Sequence, residues 1–179
     1  MRHPQETGKR ILITGASGAG TTTLGQALAD EFGCAFFDAD DYYWLPSHPP
    51  FQHKRDRALR LKLLLADLAH VASAVLSGSV VNWGPEIEES FSVIIFLALP
   101  ASIRVERLRE RELARSGQAD PNFLEWAAQY DEGSMAGRSL ARHERWLAQR
   151  SCPVIRLDGD LSVAERVARS LAAMAIESS

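Results

Sequence analysis

Lysine is nearly absent from this chain. Of its 20 basic residues only Lys9, Lys54 and Lys62 are lysines, and the others are arginines. Cysteine is scarce as well. Cys34 and Cys152 lie far apart with no CxxC pair, which excludes a disulfide framework and a zinc ribbon and leaves reduced thiols as the expectation. No apolar run approaches the roughly 20 residues that a membrane helix needs, and no export signal is read at the start. A formal charge of −3 argues against general affinity for nucleic acid or anionic membranes. Internal repeats and low-complexity segments are missing too. These absences point to a cytoplasmic protein, monomer or homodimer, whose partners are small molecules. At 179 residues with 46% apolar side chains it reads as one domain, 1–179, with a continuous core.

What is present is concentrated early. The apolar run Ile11-Leu12-Ile13 reads as a buried parallel strand, and residues 23–32 carry Leu24, Ala27, Leu28 and Phe32 at helical spacing before Gly33. Between them stands Gly15-Ala16-Ser17-Gly18-Ala19-Gly20-Thr21-Thr22. Strand, glycine-rich turn and helix form the context of a phosphate-binding loop, where backbone amides converge on an anion at a helix N-terminus. The spacing fits G-x-x-x-x-G-K-[ST] except that Thr21 replaces the lysine. The amides and the Thr22 hydroxyl remain available for phosphate and Mg²⁺. The cation that reaches the β- and γ-phosphates does not.

A second short strand, 35–37, runs into Asp38-Ala39-Asp40-Asp41-Tyr42-Tyr43-Trp44. Carboxyl ends of parallel strands face the ligand crevice, so Asp38 and Asp40 could divide between Mg²⁺ and a substrate hydroxyl, or form a solvated acidic turn. A proline-rich loop (45–52) with His48 and His53 at its flanks follows, then a helix over 56–70. Arg55 and Arg57 at its start would reach an anionic substrate or simply face solvent, and 42–72 as a whole reads as the substrate side. The third strand, 74–77, leads into Gly78 and the Val81-Asn82-Trp83-Gly84 stretch, with Ser77 or Ser79 where related folds carry an aspartate. Gly78 allows close approach of substrate; Trp83 is a pocket wall or core.

The fourth strand, 93–99, is apolar on both faces. The helix after it (101–116) carries Arg104, Arg107, Arg111 and Arg115 at three- and four-residue spacing, a stripe for phosphates or for surface pairs with Glu106, Glu110 and Glu112. Residues 112–137 have the position of a lid, with a short helix at 122–130 and a hinge at 133–137. Arg138, Arg142 and Arg145 repeat along a further helix (138–149). A fifth strand (152–157) turns at Asp158-Gly159 into a last helix, 162–175.

These residues resemble the P-loop kinases of small molecules, the adenylate, shikimate and gluconate kinase group. Phe37-Asp38-Ala39-Asp40 is similar to the acidic motif of shikimate kinases. That implies Mg²⁺ service for Asp38 and contact with the acceptor hydroxyl for Asp40. The segment from Val105 to Arg111 resembles the arginine pair opening the adenylate kinase lid, which implies adenine stacking for Arg107 and phosphate contact for Arg111. Asp158-Gly159 resembles the turn lying against the base. The GTT phosphate loop and the DDYYW turn are similar to a bacterial group of adenylate kinase-related ATPases. The resemblance implies a five-stranded parallel sheet with helices on both faces and a small helical lid, using ATP and Mg²⁺. The residues expected to bind or act are then Gly15 to Thr22, Arg107, Asp158 and Gly159 on the nucleotide. Asp40, Tyr43, Arg55, Arg57, Gly78 and Trp83 fall to the acceptor, and Asp38, Asp40, Arg111, Arg138 and Arg142 to catalysis. Phosphoryl transfer to a small metabolite and nucleotide sensing without turnover both remain open on these residues.

Overall fold

A computed structural model describes residues 8–48, 50–133 and 138–177. Most of the polar lead-in before Lys9, Pro49 of the proline-rich loop, and the hinge expected at 133–137 beyond Gly133 lie outside the described residues.

Five strands, β1 (Arg10–Gly15), β2 (Ala35–Asp38), β3 (Ala74–Ser77), β4 (Val93–Ala98) and β5 (Val154–Asp158), form one parallel sheet in the order β2-β3-β1-β4-β5. Each strand hands the chain to a helix on one face or the other, because parallel strands can be joined only by a crossover. Along β1 the alternation of side chains is visible in the packing. Ile11 and Ile13 join the layer holding Leu24 and Leu28 of α1 (Thr21–Phe32) and Leu171 of α8 (Val163–Glu177). Leu12 points the other way, to Leu64 and Leu68 of α3 (Arg57–Leu68) and Trp146 of α7 (Leu140–Leu147). Fully burying side chains of this size contributes about 1.5–3 kcal/mol each, so the two layers fix the sheet between them.

The expected sheet and its flanking helices are present. Two further helices stand outside the expected elements: α2 (Ala39–Tyr43), over the acidic turn, and α4 (Pro85–Glu88). In α2 the acidic turn has become helix because Asp38 caps it, its carboxylate accepting from the Asp40 amide at 3.0 Å. The proline-rich stretch is closed at its base, where Leu45 donates to the His53 carbonyl and Arg55 to that of Tyr43. Asp56 then caps α3 by accepting from the Leu59 amide. After β4 comes α5 (Ala101–Ser116), and α6 (Pro121–Ala128) packs beside it.

Register puts the carboxyl ends of the strands level. Asp38 stands opposite Ser77, Gly15 opposite Leu97, and Ala98 opposite Asp158. One edge of the sheet therefore presents the phosphate-loop candidate, the acidic residue and the last turn side by side.

Candidate functional site

The glycine-rich turn between β1 and α1 is held from both flanks. Gly18 has φ +83°, and a Cβ there would lie 2.6 Å from the Arg104 carbonyl oxygen, so the turn can press against α5 only with glycine. Gly20 caps α1 with no side-chain hydrogen bond, leaving the first amides of that helix without intrahelical partners. Such a helix start carries about half a positive charge.

Thr22 Oγ1 donates to Asp38 Oδ2 at 2.9 Å, and Ser77 Oγ donates to the same oxygen at 2.9 Å. With the Asp40 amide on Oδ1, the carboxylate of Asp38 ties together the phosphate-loop helix, the end of β3 and the start of α2. Ser77, in the place where an aspartate was sought, thus acts through Asp38. Thr22 is exposed and Asp38 half-buried. Among the described residues no cluster of three or more His, Cys, Asp or Glu could hold a metal alone. Two hard oxygen groups at a helix N-terminus do suit Mg²⁺, which takes one or two protein groups and completes its shell with waters and phosphate oxygens.

Asp40 stands one turn further on. Its carboxyl is open to solvent yet crowded by protein. Its pKa lies above the ordinary aspartate value, chiefly through lost hydration and then through the neighbouring Asp38 charge; Arg138, the Trp44 ring and Arg111 pull the other way. The charges of Arg138 and Arg111 therefore both favour the ionised form of this carboxylate. Arg138 also shares a narrow crevice with Ser17, Trp126, Ala127 and Tyr130. Arg142 sits exposed on the first turn of α7.

The arginine stripe of α5 divides. Arg104 is buried, donating to the carbonyls of Leu99 and Ala127 and pairing with Asp131 at 2.9 Å; it fastens α6 and is not aimed at the crevice. Arg115 pairs with Glu112 at 2.6 Å, and Arg111 reaches the same glutamate at 3.6 Å. Arg107 forms an ion pair with Asp160, so it meets the Asp158-Gly159 turn across the end of β5. Gly159 has φ +90° and donates to the Ala98 carbonyl.

On the acceptor side, a Cβ on Gly78 would lie 2.9 Å from that of Ala39, and Trp83 is buried with its ring stacked on Tyr43 at 6.4 Å between centroids. Arg55 donates to the carbonyls of Tyr42 and Trp44, and Arg57 to that of Asn82. Both arginines are thus bonded to the backbone of the surrounding loops.

Three groups in this region were not singled out from sequence. Arg60 is 7% exposed, its guanidinium 4.7 Å from the Tyr43 ring centroid and 4.6 Å from that of Trp83, and its Nε has no hydrogen-bond partner among the described residues. His143 bridges Thr14 Oγ1 (2.9 Å, from Nε2) and the Tyr130 hydroxyl (2.8 Å, from Nδ1). Burial first, and Arg138 second, lower its pKa to about 3, so the ring is neutral and one hydroxyl donates to it while the other accepts. Arg166, from α8, donates to the Ala19 carbonyl at 2.7 Å. No local spacing signals any of these contacts.

No protein-family model matches the chain. It is 44% identical over 173 residues to the uncharacterized protein YqaC of Bacillus subtilis, covering 91% of this chain and 96% of that one. It is 30% identical over 128 residues to a gluconokinase of Arabidopsis thaliana, across 59% of this chain and 68% of the relative. Among solved structures, shikimate kinase from Acinetobacter baumannii in complex with shikimate superposes with a TM-score of 0.60 at 17% identity, over 97% and 96% of the two chains. A gluconokinase from Sinorhizobium meliloti superposes with 0.58 at 23% identity, over 96% and 94%. At these identities the superpositions speak for the fold. Among the described residues no helix is long and apolar enough to cross a membrane.

Proposed function

We propose, from the premise that this chain belongs to the P-loop small-molecule kinase superfamily, that it moves the γ-phosphoryl group of ATP to a hydroxyl of a small, polar or anionic metabolite. The observation that carries the reading is the bond set on Asp38. A carboxylate at the end of β2 is joined to the threonine hydroxyl of the phosphate loop at 2.9 Å and to the Asp40 amide at 3.0 Å.

In this reading the amides from Gly15 to Thr22 hold the β-phosphate, with Ala16, Ser17 and Ala19 supplying backbone and no bulk. Thr22 and Asp38 hold Mg²⁺, which offsets charge on the phosphate oxygens when bound. Asp40, one turn beyond Asp38, orients the acceptor hydroxyl and takes its proton. Arg111 and Arg138, which already act on Asp40 through space, stabilise charge on the group in flight, with Arg142 reaching in from α7. Arg107 and the Asp158-Gly159 turn enclose the base. Tyr43, Gly78 and Trp83 wall the acceptor, on loops that Arg55 and Arg57 order. We take residues 1–179 as one catalytic domain, with 112–137 as its lid and 42–72 as its substrate side.

The test is ATP consumption over a panel of sugar acids, polyols and cyclic hydroxy acids, beginning with gluconate and shikimate. A panel member that raises turnover well above the ATPase background, with ADP formed in step with a phosphorylated product, supports the reading. ATP binding without turnover on any member overturns it and leaves a nucleotide-binding regulatory protein.

A further inference from the structure

The phosphate loop lacks its lysine, yet a cation is packed against it from the far end of the chain. Arg166 lies in the first turn of α8 and is 5% exposed. Its Nη1 donates to the Ala19 carbonyl at 2.7 Å, a contact between residues 147 positions apart. A Cβ on Gly20 would lie 2.8 Å from that same nitrogen and 3.8 Å from Nη1 of Arg107. Glycine at position 20, which also has φ +91°, is therefore what lets the Arg166 guanidinium pack this close, with Arg107 in ordinary contact range beside it.

The bond has a direction that matters. In a planar trans peptide the C=O and N–H point opposite ways. With the Ala19 carbonyl fixed on Arg166, the Gly20 amide faces away from that guanidinium. Charge follows the same geometry. Arg107 is paired with Asp160, so two arginines and one carboxylate stand together with one positive charge in excess. Burial and the nearby Arg107 both work against the charged form of Arg166, while Asp160 supports it. A bound polyphosphate would relieve that repulsion.

Resting on the nucleotide-binding reading above, we propose that Arg166 is a positioning residue for the phosphate loop. It aims the Gly20 amide at the phosphates and supplies from α8 the fixed positive charge that Thr21 does not.

The experiment is calorimetric titration of Mg-ADP and Mg-ATP into the wild-type protein, Arg166→Gln, Arg166→Lys, and Thr21→Lys combined with Arg166→Gln. Folding of each is checked by near-ultraviolet circular dichroism. The glutamine variant is expected to lose about 10²-fold in nucleotide affinity, the scale of one preorganised donor. The lysine variant should recover part of that, and Thr21→Lys should restore most of it in the glutamine background. The KM for the acceptor should stay within about twofold, a split that plain loss of structure would not give. A folded glutamine variant whose nucleotide affinity matches wild type overturns the inference. If the glutamine variant does not fold, ¹⁵N resonances of the Arg166 guanidinium in the wild-type protein decide. They shift on adding Mg-ADP if the inference holds, and unmoved resonances overturn it. No heat from the wild-type protein would instead remove the nucleotide reading itself, and this inference with it.

Discussion

Acid should weaken this fold through one imidazole. His143 is 2% exposed, bonded to Thr14 and Tyr130, and faced by the Arg138 charge. In the unfolded chain its pKa returns to about 6.5; in the folded protein it is about 3. Between those values the unfolded state binds a proton that the folded state refuses, so unfolding free energy falls as pH falls. At about 1.4 kcal/mol per pH unit, the loss from this group reaches about 2 kcal/mol at pH 5 and about 3 kcal/mol at pH 4. Asp40, whose folded pKa is raised, has the opposite sign, because the folded state there holds the extra proton and gains stability as pH falls through its window. A comparison with His143→Gln cancels Asp40 and every other common group. Urea denaturation of both proteins at pH 7, 6, 5 and 4 should give a slope steeper in the wild type by about 1.4 kcal/mol per unit below pH 6. The glutamine variant should be less stable at pH 7. Parallel slopes, or an NMR titration of the His143 ring with a midpoint near 6.5, would refute the argument.

Asp38→Ala should cut phosphoryl transfer by at least about 10²-fold and also cost about 1 kcal/mol by uncapping α2; steady-state kinetics alongside denaturation separate the two effects. Arg60→Met should leave the fold within about 1 kcal/mol of wild type or more stable, since a buried cation without a carboxylate partner is replaced by packing. Thermal unfolding showing a large stability loss would mean that the Arg60 guanidinium between the Tyr43 and Trp83 rings itself holds the fold. Arg104→Met should be the opposite case, losing about 1–3 kcal/mol for each of the two carbonyls it leaves without a donor at the α5–α6 junction, while the exposed Asp131 carboxylate returns to water. Thermal unfolding with a loss below about 1 kcal/mol would contradict that role.

The parts of this molecule that the sequence made legible are those written in local spacing. Alternating and continuous apolar runs marked all five strands, and Gly15 to Thr22 marked the turn after the first. The acidic turn was visible as chemistry but not as helix, although an aspartate followed by Asp40 and Asp41 is a helix-start signal. The arginines of α5 show where such spacing stops informing. Positions 104, 107, 111 and 115 share a side of one helix by arithmetic, yet Arg104 is buried under α6 and Arg107 is paired to a turn 53 residues away. Periodicity specifies direction around an axis; only packing against a distant element decides whether that direction is core, crevice or solvent. The same holds more strongly for the contacts closest to the phosphate loop. His143 reaches Thr14 across 129 residues and Arg166 reaches Ala19 across 147. A motif reader sees a loop that has lost its cation, because the motif extends over eight positions. Parallel winding brings the last helix back beside the first, so a charge missing from the loop's own sequence can be returned by α8. The missing lysine is therefore, by itself, weak ground for judging that the loop binds no phosphate.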